Sequence, residues 1–440
     1  MTHHHRAGPL FTDLYELTMA AGYFAHRVFD TATFSLYIRD VYSTRSFFVA
    51  AGLEQVLDEL AGFRFSDDEM NYLKTTGRFS ADFLDFLEQL RFSGDVYAIP
   101  EGTVFFANEP VLEVTAPIIE AQLLETFLLN TVGFQTMIAS KAARCIHAAA
   151  GRPLIDFSLR RTQGQDAGLN VARSTFIAGF TATSNVLAGK IYGIPISGTM
   201  AHSYVGAFDS ERDAFWAYSE TFPDHSIFLI DTYDTLEGAK NAVAVAKEME
   251  KKGHTLIGVR LDSGDTVSLS QGVRKILDDA GLSDVKIFAS SGFDEFKIEK
   301  VVSEGARIDA FGVGTKVGVS ADAPFVDVVY KMVHFKDRDV RKLSLGKVTL
   351  AGEKQVFRKI NSRGYFTEDI IGVRDELILD GEPLLEKVME NGNVLRPHPT
   401  LDEIRKRFEL NFSRLDEKYK LIHDAAVYPV KRSRRLEKLQ

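Results

Sequence analysis

Between Pro153 and Gly314 the chain carries six short runs rich in β-branched residues: PLIDF from Pro153, IPISG from Ile194, SIFLID from Ser226, TLIGVRLD from Thr255, VKIFASS from Val285 and IDAFGVG from Ile308. Each reads as a buried strand, and they recur at intervals of roughly thirty residues. Several of the segments between them are helical. In TLEGAKNAVAVAKEMEKKG, Leu236, Ala239, Val243, Ala246 and Met249 form one apolar stripe at the helical spacing of about 3.6 residues. Strand, helix, strand at this interval implies right-handed crossovers and a parallel sheet, either a barrel or an open doubly wound sheet. We favour an α/β barrel with fewer than eight regular units.

The flanks have a different rhythm. TATFSLYI (Thr31 to Ile38) and GDVYAIPEGTVFFANEPVLEV (Gly94 to Val114) alternate and are broken by Pro100, Gly102 and Pro110, as short antiparallel strands joined by tight turns are. From Ile118 to Ala149 the chain is apolar and suits a mostly buried helix or helix pair. Strand and turn character returns after Val326, and a charged helical segment, LDEIRKRFELNFSRLDEKYKLI, follows. The predicted division is a β-rich N-terminal domain over 1–117, completed by 326–390, a barrel over 118–325, and a helical segment with a basic tail over 391–440.

A chain of 440 residues has room for two or three domains. No apolar run approaches the length of about eighteen residues that a membrane helix requires, so no membrane segment is expected. MTHHHRAGPLF lacks the pattern of a secretory signal, and His3, His4 and His5 read as a disordered end. The single cysteine, Cys145, excludes a disulfide framework and a multi-cysteine metal site, which points to the cytoplasm. A net charge of −9 argues against nucleic-acid binding. The basic cluster KRSRR, Lys431 to Arg435, reads as a solvated, frayed terminus.

Each run ends in polar residues that a core would not keep, and the site of a parallel barrel forms at those C-terminal strand ends. The first run leads into Asp156, Phe157, Arg160 and Arg161, the second into Thr199, His202, Ser203 and Tyr204, the third into Asp231, Tyr233 and Asp234. The fourth ends at Arg260, Asp262, Ser263, Gly264 and Asp265, the fifth at Ser290, Ser291 and Gly292, the sixth at Gly312, Val313, Gly314 and Thr315. Glycine after a strand is ordinary punctuation, but two such turns in succession let backbone N–H groups approach an anion, most naturally a phosphate. In LDSGD, Asp262 and Asp265 are fit to accept from vicinal sugar hydroxyls or to hold Mg²⁺ directly or through water; a helix cap is the simpler reading of Asp265. A lone strand-end arginine is ordinarily half of an ion pair, whereas Arg160, Arg161 and Arg260 together among aspartates suit an anionic ligand. His202 is either a satisfied structural histidine or a phospho-accepting imidazole oriented by a carboxylate such as Asp231. No His-rich or Cys-rich spacing makes it a metal ligand.

Taken in order, FTDLYELTMAAGY, DFSLRRTQG, SNVLAG, GTMAHSYV, IDTYDT, VRLDSGD and FGVGT resemble the nicotinate phosphoribosyltransferase family over nearly all of the chain from Phe11 onward. The resemblance implies an irregular (β/α) barrel with a second, β-rich domain, in a homodimer whose active sites borrow residues from the other subunit. It implies that Tyr15 reaches across the dimer to stack on a pyridine ring opposite Phe157, that Arg160 lies near the substrates, and that Arg260 and Asp262 face base and ribose. His202 matches the histidine that such enzymes phosphorylate with ATP, with Asp231 placed to orient it. The backbone around Ser291, Gly292, Gly312 and Gly314 would hold the 5′-phosphate, and Thr199 and Thr315 complete the expected substrate-binding set. The related nicotinamide enzymes carry aspartate where this sequence has Ser184; a carboxylate there would repel nicotinate, so serine favours the acid. The sequence departs from the family pattern in the SSGFDE turn, where many relatives have Asn, and at Thr162, where a small residue is expected.

The reaction so implied joins nicotinate to phosphoribosyl pyrophosphate, with Mg²⁺ and with ATP as co-substrate, as the first step of NAD salvage from nicotinic acid. The alternatives are nicotinamide or quinolinate as acceptor, a Schiff-base aldolase, for which only Lys316 is near a strand, and a non-catalytic phosphosugar-binding barrel. Retention of His202, Asp231 and Asp262 together speaks against the last.

Overall fold

A computed structural model describes residues 8–39, 45–342 and 349–440, so His3, His4 and His5 lie outside the described residues. The chain forms two compact units, one of residues up to Ser140 together with Ala323–Gln440, the other of Lys141–Asp322.

The second unit holds the parallel sheet. Its strands, first to sixth in chain order, are Leu154–Asp156, Ala182–Thr183, Ile227–Leu229, Gly258–Leu261, Lys286–Ala289 and Ala310–Val313. They pair in the order second, first, sixth, fifth, fourth, third, every pair parallel. The second and third strands, consecutive in sequence, are the two edges, so the sheet curls as an irregular half-barrel with its seam between them. All six C-terminal ends thus share one side, as the period of the sequence requires.

Two expectations are corrected here. IPISG is not the second strand: it makes one isolated bridge, Thr183 to Ile196, flanked by Thr183 N–H donating to the Pro195 carbonyl and Ser197 N–H to the Thr183 carbonyl, both at 3.0 Å. Pro195 has no N–H with which to extend a ladder. In the helix Thr235–Lys251 the buried face is Gly238, Ala239, Ala242, Val245, Ala246 and Met249, whereas Leu236 is exposed and Val243 half-buried. Gly238 turns that face: a Cβ there would lie 2.0 Å from the Ile230 carbonyl oxygen, so only glycine lets the helix approach the third strand end so closely.

In the first unit the later strands do pair with the N-terminal ones. Thr31–Ile38 lies between Val328–Phe335 and Pro110–Pro117, and Asp95–Ala98 pairs with Glu386–Glu390. Phe34 stacks on Tyr330 at 4.8 Å within the core, and the Tyr330 hydroxyl donates to the Ala121 carbonyl. The boundaries differ from those expected. The helix Glu125–Ala148 is shared, because Thr136 and Ser140 bond to the Ala51 and Val49 backbone, and the segment after 391 belongs to this unit instead of standing apart. Nor is the tail frayed: Val430–Arg432 joins Phe366–Val373 as a strand, and Lys431 and Arg435 pair with Glu368 and Asp375. Among the described residues no helix is long and apolar enough to cross a membrane.

Candidate active site

The strand ends of the half-barrel are tied into one hydrogen-bonded frame. Asp231, after the third strand, accepts from the Asp262 N–H at 2.9 Å and the Ser263 hydroxyl at 2.6 Å, bracing the LDSGD turn of the fourth. Asp262 Oδ1 accepts from the Ser290 hydroxyl at the end of the fifth. Asp156, wholly buried at the end of the first, accepts from the Ser158 N–H and the Thr183 hydroxyl; burial still holds its carboxyl above the usual carboxylate range. Ser184 N–H closes the second end on the Asp156 carbonyl at 2.8 Å. Phe157 N–H donates to the Val313 carbonyl, and its ring lies against Gly312, where a Cβ would fall 2.5 Å from two ring carbons. Gly312 is therefore glycine because the ring needs its space. Phe157, Thr199, Arg260 and Gly312 line a narrow cleft inside the sheet.

His202 opens the short helix His202–Val205 and is exposed. Its Nδ1 lies 3.1 Å from Thr232 Oγ1 and its Nε2 3.8 Å from Asp262 Oδ2. The expected orienting role of Asp231 is thus corrected: the hydrogen bonds of Asp231 go to the LDSGD turn, its Oδ1 is buried without a partner, and Thr232, the next residue, meets the imidazole.

Arg260 is largely buried, and desolvation lowers its pKa; Asp262 and Asp231 oppose that, while Arg160 adds like-charge repulsion. One guanidinium nitrogen donates to the Met200 carbonyl at 2.8 Å, and Nε is buried with no hydrogen-bond partner. Arg160 and Arg161 sit exposed on the turn Leu159–Arg161. Two cations in mutual repulsion with an unmet donor form an arrangement that an anion relieves.

At the fifth end, Ser291 and Gly292 are successive left-handed residues, at φ +85° and +67°. Serine is strained there, a cost typical of functional turns. Two lysines flank this turn. Lys297 Nζ donates to the Ser291 carbonyl at 2.9 Å over the Phe293 ring, and burial and the Lys316 ammonium lower its pKa. Lys316 Nζ lies 2.7 Å from Asp294 Oδ2, beside Thr315 and the Gly314 turn. Sequence reasoning missed Lys297 and saw Lys316 only as an aldolase candidate. The available signal was the position of Lys297, three residues beyond the helix cap Asp294 and hence back over the turn.

Asp265 does not join Asp262. It caps the helix Thr266–Asp279, accepting from the Ser268 N–H and hydroxyl, which hold its pKa low. Among the described residues no three His, Cys, Asp or Glu side chains gather as a metal site. Tyr15 lies in the other unit, on the first turn of the helix Leu14–Ala25, with 46% of its surface exposed. Burial of its hydroxyl and the nearby carboxylates of Glu125, Glu16 and Asp13 raise its pKa.

Comparison with known proteins adds an independent line. Residues 10–133, 153–342 and 379–440 match, respectively, the N-terminal domain, the family region and the C-terminal domain described for nicotinate phosphoribosyltransferase. The chain is 47% identical to a nicotinate phosphoribosyltransferase of Mycobacterium tuberculosis over 98% of its own length and 92% of the relative's. It is 40% identical to one of Bacillus subtilis over 96% and 92%. Among solved structures, human nicotinic acid phosphoribosyltransferase superposes with a TM-score of 0.87 at 30% identity, covering 97% of this chain and 99% of that one. A nicotinate-nucleotide pyrophosphorylase from Pyrococcus furiosus gives 0.77 at 26%, covering 94% and 99%.

Proposed function

The chain belongs to the nicotinate phosphoribosyltransferase family, and from that premise we propose that it makes nicotinate mononucleotide from nicotinate and phosphoribosyl pyrophosphate, with ATP hydrolysed alongside. The pyridine nitrogen attacks the anomeric carbon; the C–N bond forms as the C–O bond to pyrophosphate breaks. That nitrogen carries its own lone pair and needs no general base. The barrier falls by holding two anions in line and by fixed charges around an oxocarbenium-like transition state.

Each part of the frame has a task. Phe157, with its ring fixed on Gly312, offers one face to the pyridine ring, and Tyr15 of the partner subunit the other. Arg260 and Arg160 take the carboxylate, each charged hydrogen bond contributing roughly 1.5–3 kcal/mol. Ser184 puts no repelling charge nearby, and Thr199 lines the same cleft. Asp262 faces the ribose. The turns at Ser291, Gly292, Gly312, Gly314 and Thr315, with Lys297 and Lys316, hold the 5′-phosphate. His202 accepts a phosphoryl group from ATP: the N–P bond forms as the bond to ADP breaks, and hydrolysis of the phosphohistidine drives the cycle.

Mg²⁺ fits this site in the way it usually meets a diphosphate, through substrate oxygens, waters and one or two carboxylates. Asp262 and the unpartnered Asp231 Oδ1 are the oxygens available, while Asp265 is occupied as a cap. When bound, the ion would neutralise the departing pyrophosphate. A lone buried cysteine supports a reducing, cytoplasmic setting.

The observation that carries the reading is one frame joining His202, Asp262 and Arg260 to two glycine turns flanked by lysines. The test is product formation from phosphoribosyl pyrophosphate and Mg²⁺ with nicotinate, nicotinamide or quinolinate, each with and without ATP. Nicotinate mononucleotide, formed faster with ATP, is expected. Preferred transfer to another acceptor would overturn the substrate, and transfer to none would leave a binding barrel.

A further inference from the structure

One phosphate can be cradled by the turns after the fifth and sixth strands only if the two keep a fixed register, and two ionic ties join them. The first lies at the mouth, where Lys316 meets Asp294; this lysine is 42% exposed, so a ligand phosphate can compete for it. The second lies behind the turns, with Lys141 and Glu295 wholly buried and Asp322 mostly so. Lys141, with a wholly buried side chain, contacts the Glu295 carboxylate and lies 2.6 Å from Asp322 Oδ1.

The two carboxylates are the far ends of the two turns. Glu295 opens the helix Glu295–Ser303, three residues beyond Gly292. Asp322 follows the helix Thr315–Gly318, eight residues beyond Gly314. The path to Asp322 is short and fixed: Ser320 is buried at φ +44°, and Ala321 N–H donates to the Lys316 carbonyl at 3.0 Å. Arg144, on the same helix face as Lys141, donates to Glu295 Oε1 at 3.0 Å, and the Phe296 ring lies within 5.8 Å of both cations.

We propose that Lys141 is a positioning residue for phosphoribosyl pyrophosphate: it never reaches ligand, and it sets the spacing of the two phosphate-holding turns by gripping one carboxylate from each. This rests on the reading that those turns hold the phosphate. A buried ion pair contributes little to stability over well-packed apolar side chains, so what this one contributes is geometry. A small misplacement of binding groups costs far more in binding and rate than the lost contact itself.

The test is steady-state kinetics of Lys141→Gln, Lys141→Arg and Asp322→Asn beside the unaltered enzyme, with folding checked by circular dichroism and thermal unfolding. Asp322→Asn removes the charge of the arm to the sixth-strand turn and leaves Lys141 and Arg144 on Glu295, so it serves even if Lys141→Gln does not fold. The expected result is KM for phosphoribosyl pyrophosphate raised about tenfold in the Gln and Asn variants, with KM for nicotinate within about twofold. Lys141→Arg should recover part of the loss. Equal changes in both KM values, or none in a folded variant, would overturn the positioning role. If the unaltered enzyme itself shows no dependence on phosphoribosyl pyrophosphate, the functional reading has failed, not merely this refinement of it.

Discussion

The two ring nitrogens of His202 face different chemistry, Thr232 on one side and Asp262 on the other, and this decides what its removal should do. Alanine at 202 would delete the proposed phosphoryl acceptor but leave Arg260, Phe157 and both glycine turns in place. Transfer should therefore persist at a reduced rate while stimulation by ATP disappears, read as nicotinate mononucleotide formed with and without ATP; stimulation retained in the variant would remove the phosphohistidine. Lys297 gives a pH dependence. Burial and the neighbouring Lys316 lower its pKa, so it loses its charge at lower pH than a free lysine does. Affinity for phosphoribosyl pyrophosphate should be full below that pKa and fall as pH rises through it, and Lys297→Met should flatten that alkaline limb in a KM-against-pH profile. The residue types of this site were legible from the strand ends, but their pairings were not. Asp231 and Thr232 are adjacent, and only the path of the backbone decides which of them meets the imidazole. The same holds for Asp265, whose identity suits a sugar, a cation or a helix N-terminus equally well until Ser268 is seen to take it.

Contacts between whole elements carry a second pair of predictions. Gly238 lets the helix Thr235–Lys251 press on Ile230, just past the third strand and directly before Asp231 of the frame. Gly238→Ala should destabilise the half-barrel by about 1–3 kcal/mol through overpacking, seen as a lower midpoint in thermal unfolding; an unchanged midpoint would mean that the contact relaxes freely. In the other unit, Arg358 on the strand Lys354–Ile360 pairs with Asp369 on its neighbour Phe366–Val373, and Glu109 is buried beside them. Burial first, then the Asp369 carboxylate, push the pKa of Glu109 well up. The folded state then holds a proton that the unfolded chain releases. Its contribution is complete below the ordinary glutamate pKa and is lost as pH rises toward the folded value, with a slope of at most about 1.4 kcal/mol per pH unit. Glu109→Gln should match the unaltered protein near pH 4 and exceed its stability near about pH 9 in denaturant titrations; equal stability at both would show that Glu109 does not hold the proton. A long helix such as Thr235–Lys251 was readable because one buried face imposes a period on it, whereas the strand Thr31–Ile38 is buried on both faces from Ala32 onward and was readable from its β-branched and aromatic content. The second barrel strand was not, because a strand of two residues, Ala182–Thr183, has no period to show. The basic tail failed for another reason: its pairing with Phe366–Val373 is set by a partner sixty residues away.

At the scale of the molecule, the proposed site takes one face for the pyridine ring from Phe157 of the half-barrel, while Tyr15 lies half-exposed on the other unit. If Tyr15 serves the site of a second subunit, each site of the dimer draws Tyr15 from one chain and Asp262 from the other. Two inactive variants can then repair each other. In a dimer of one Tyr15→Ala chain and one Asp262→Ala chain, one site inherits both defects and the other inherits neither. After subunits are exchanged at equal amounts, half of the dimers are mixed, and activity should return to about a quarter of the unaltered level. If Tyr15 instead serves the site of its own chain, every site in the mixed dimer lacks one of the two residues and no activity returns. The resemblance in sequence implies the shared site, but residue order cannot show it, because a residue that reaches another chain leaves the same trace as one that packs within its own. Mixing the two variants separates these cases in a single assay, whatever the remaining activity of each variant alone.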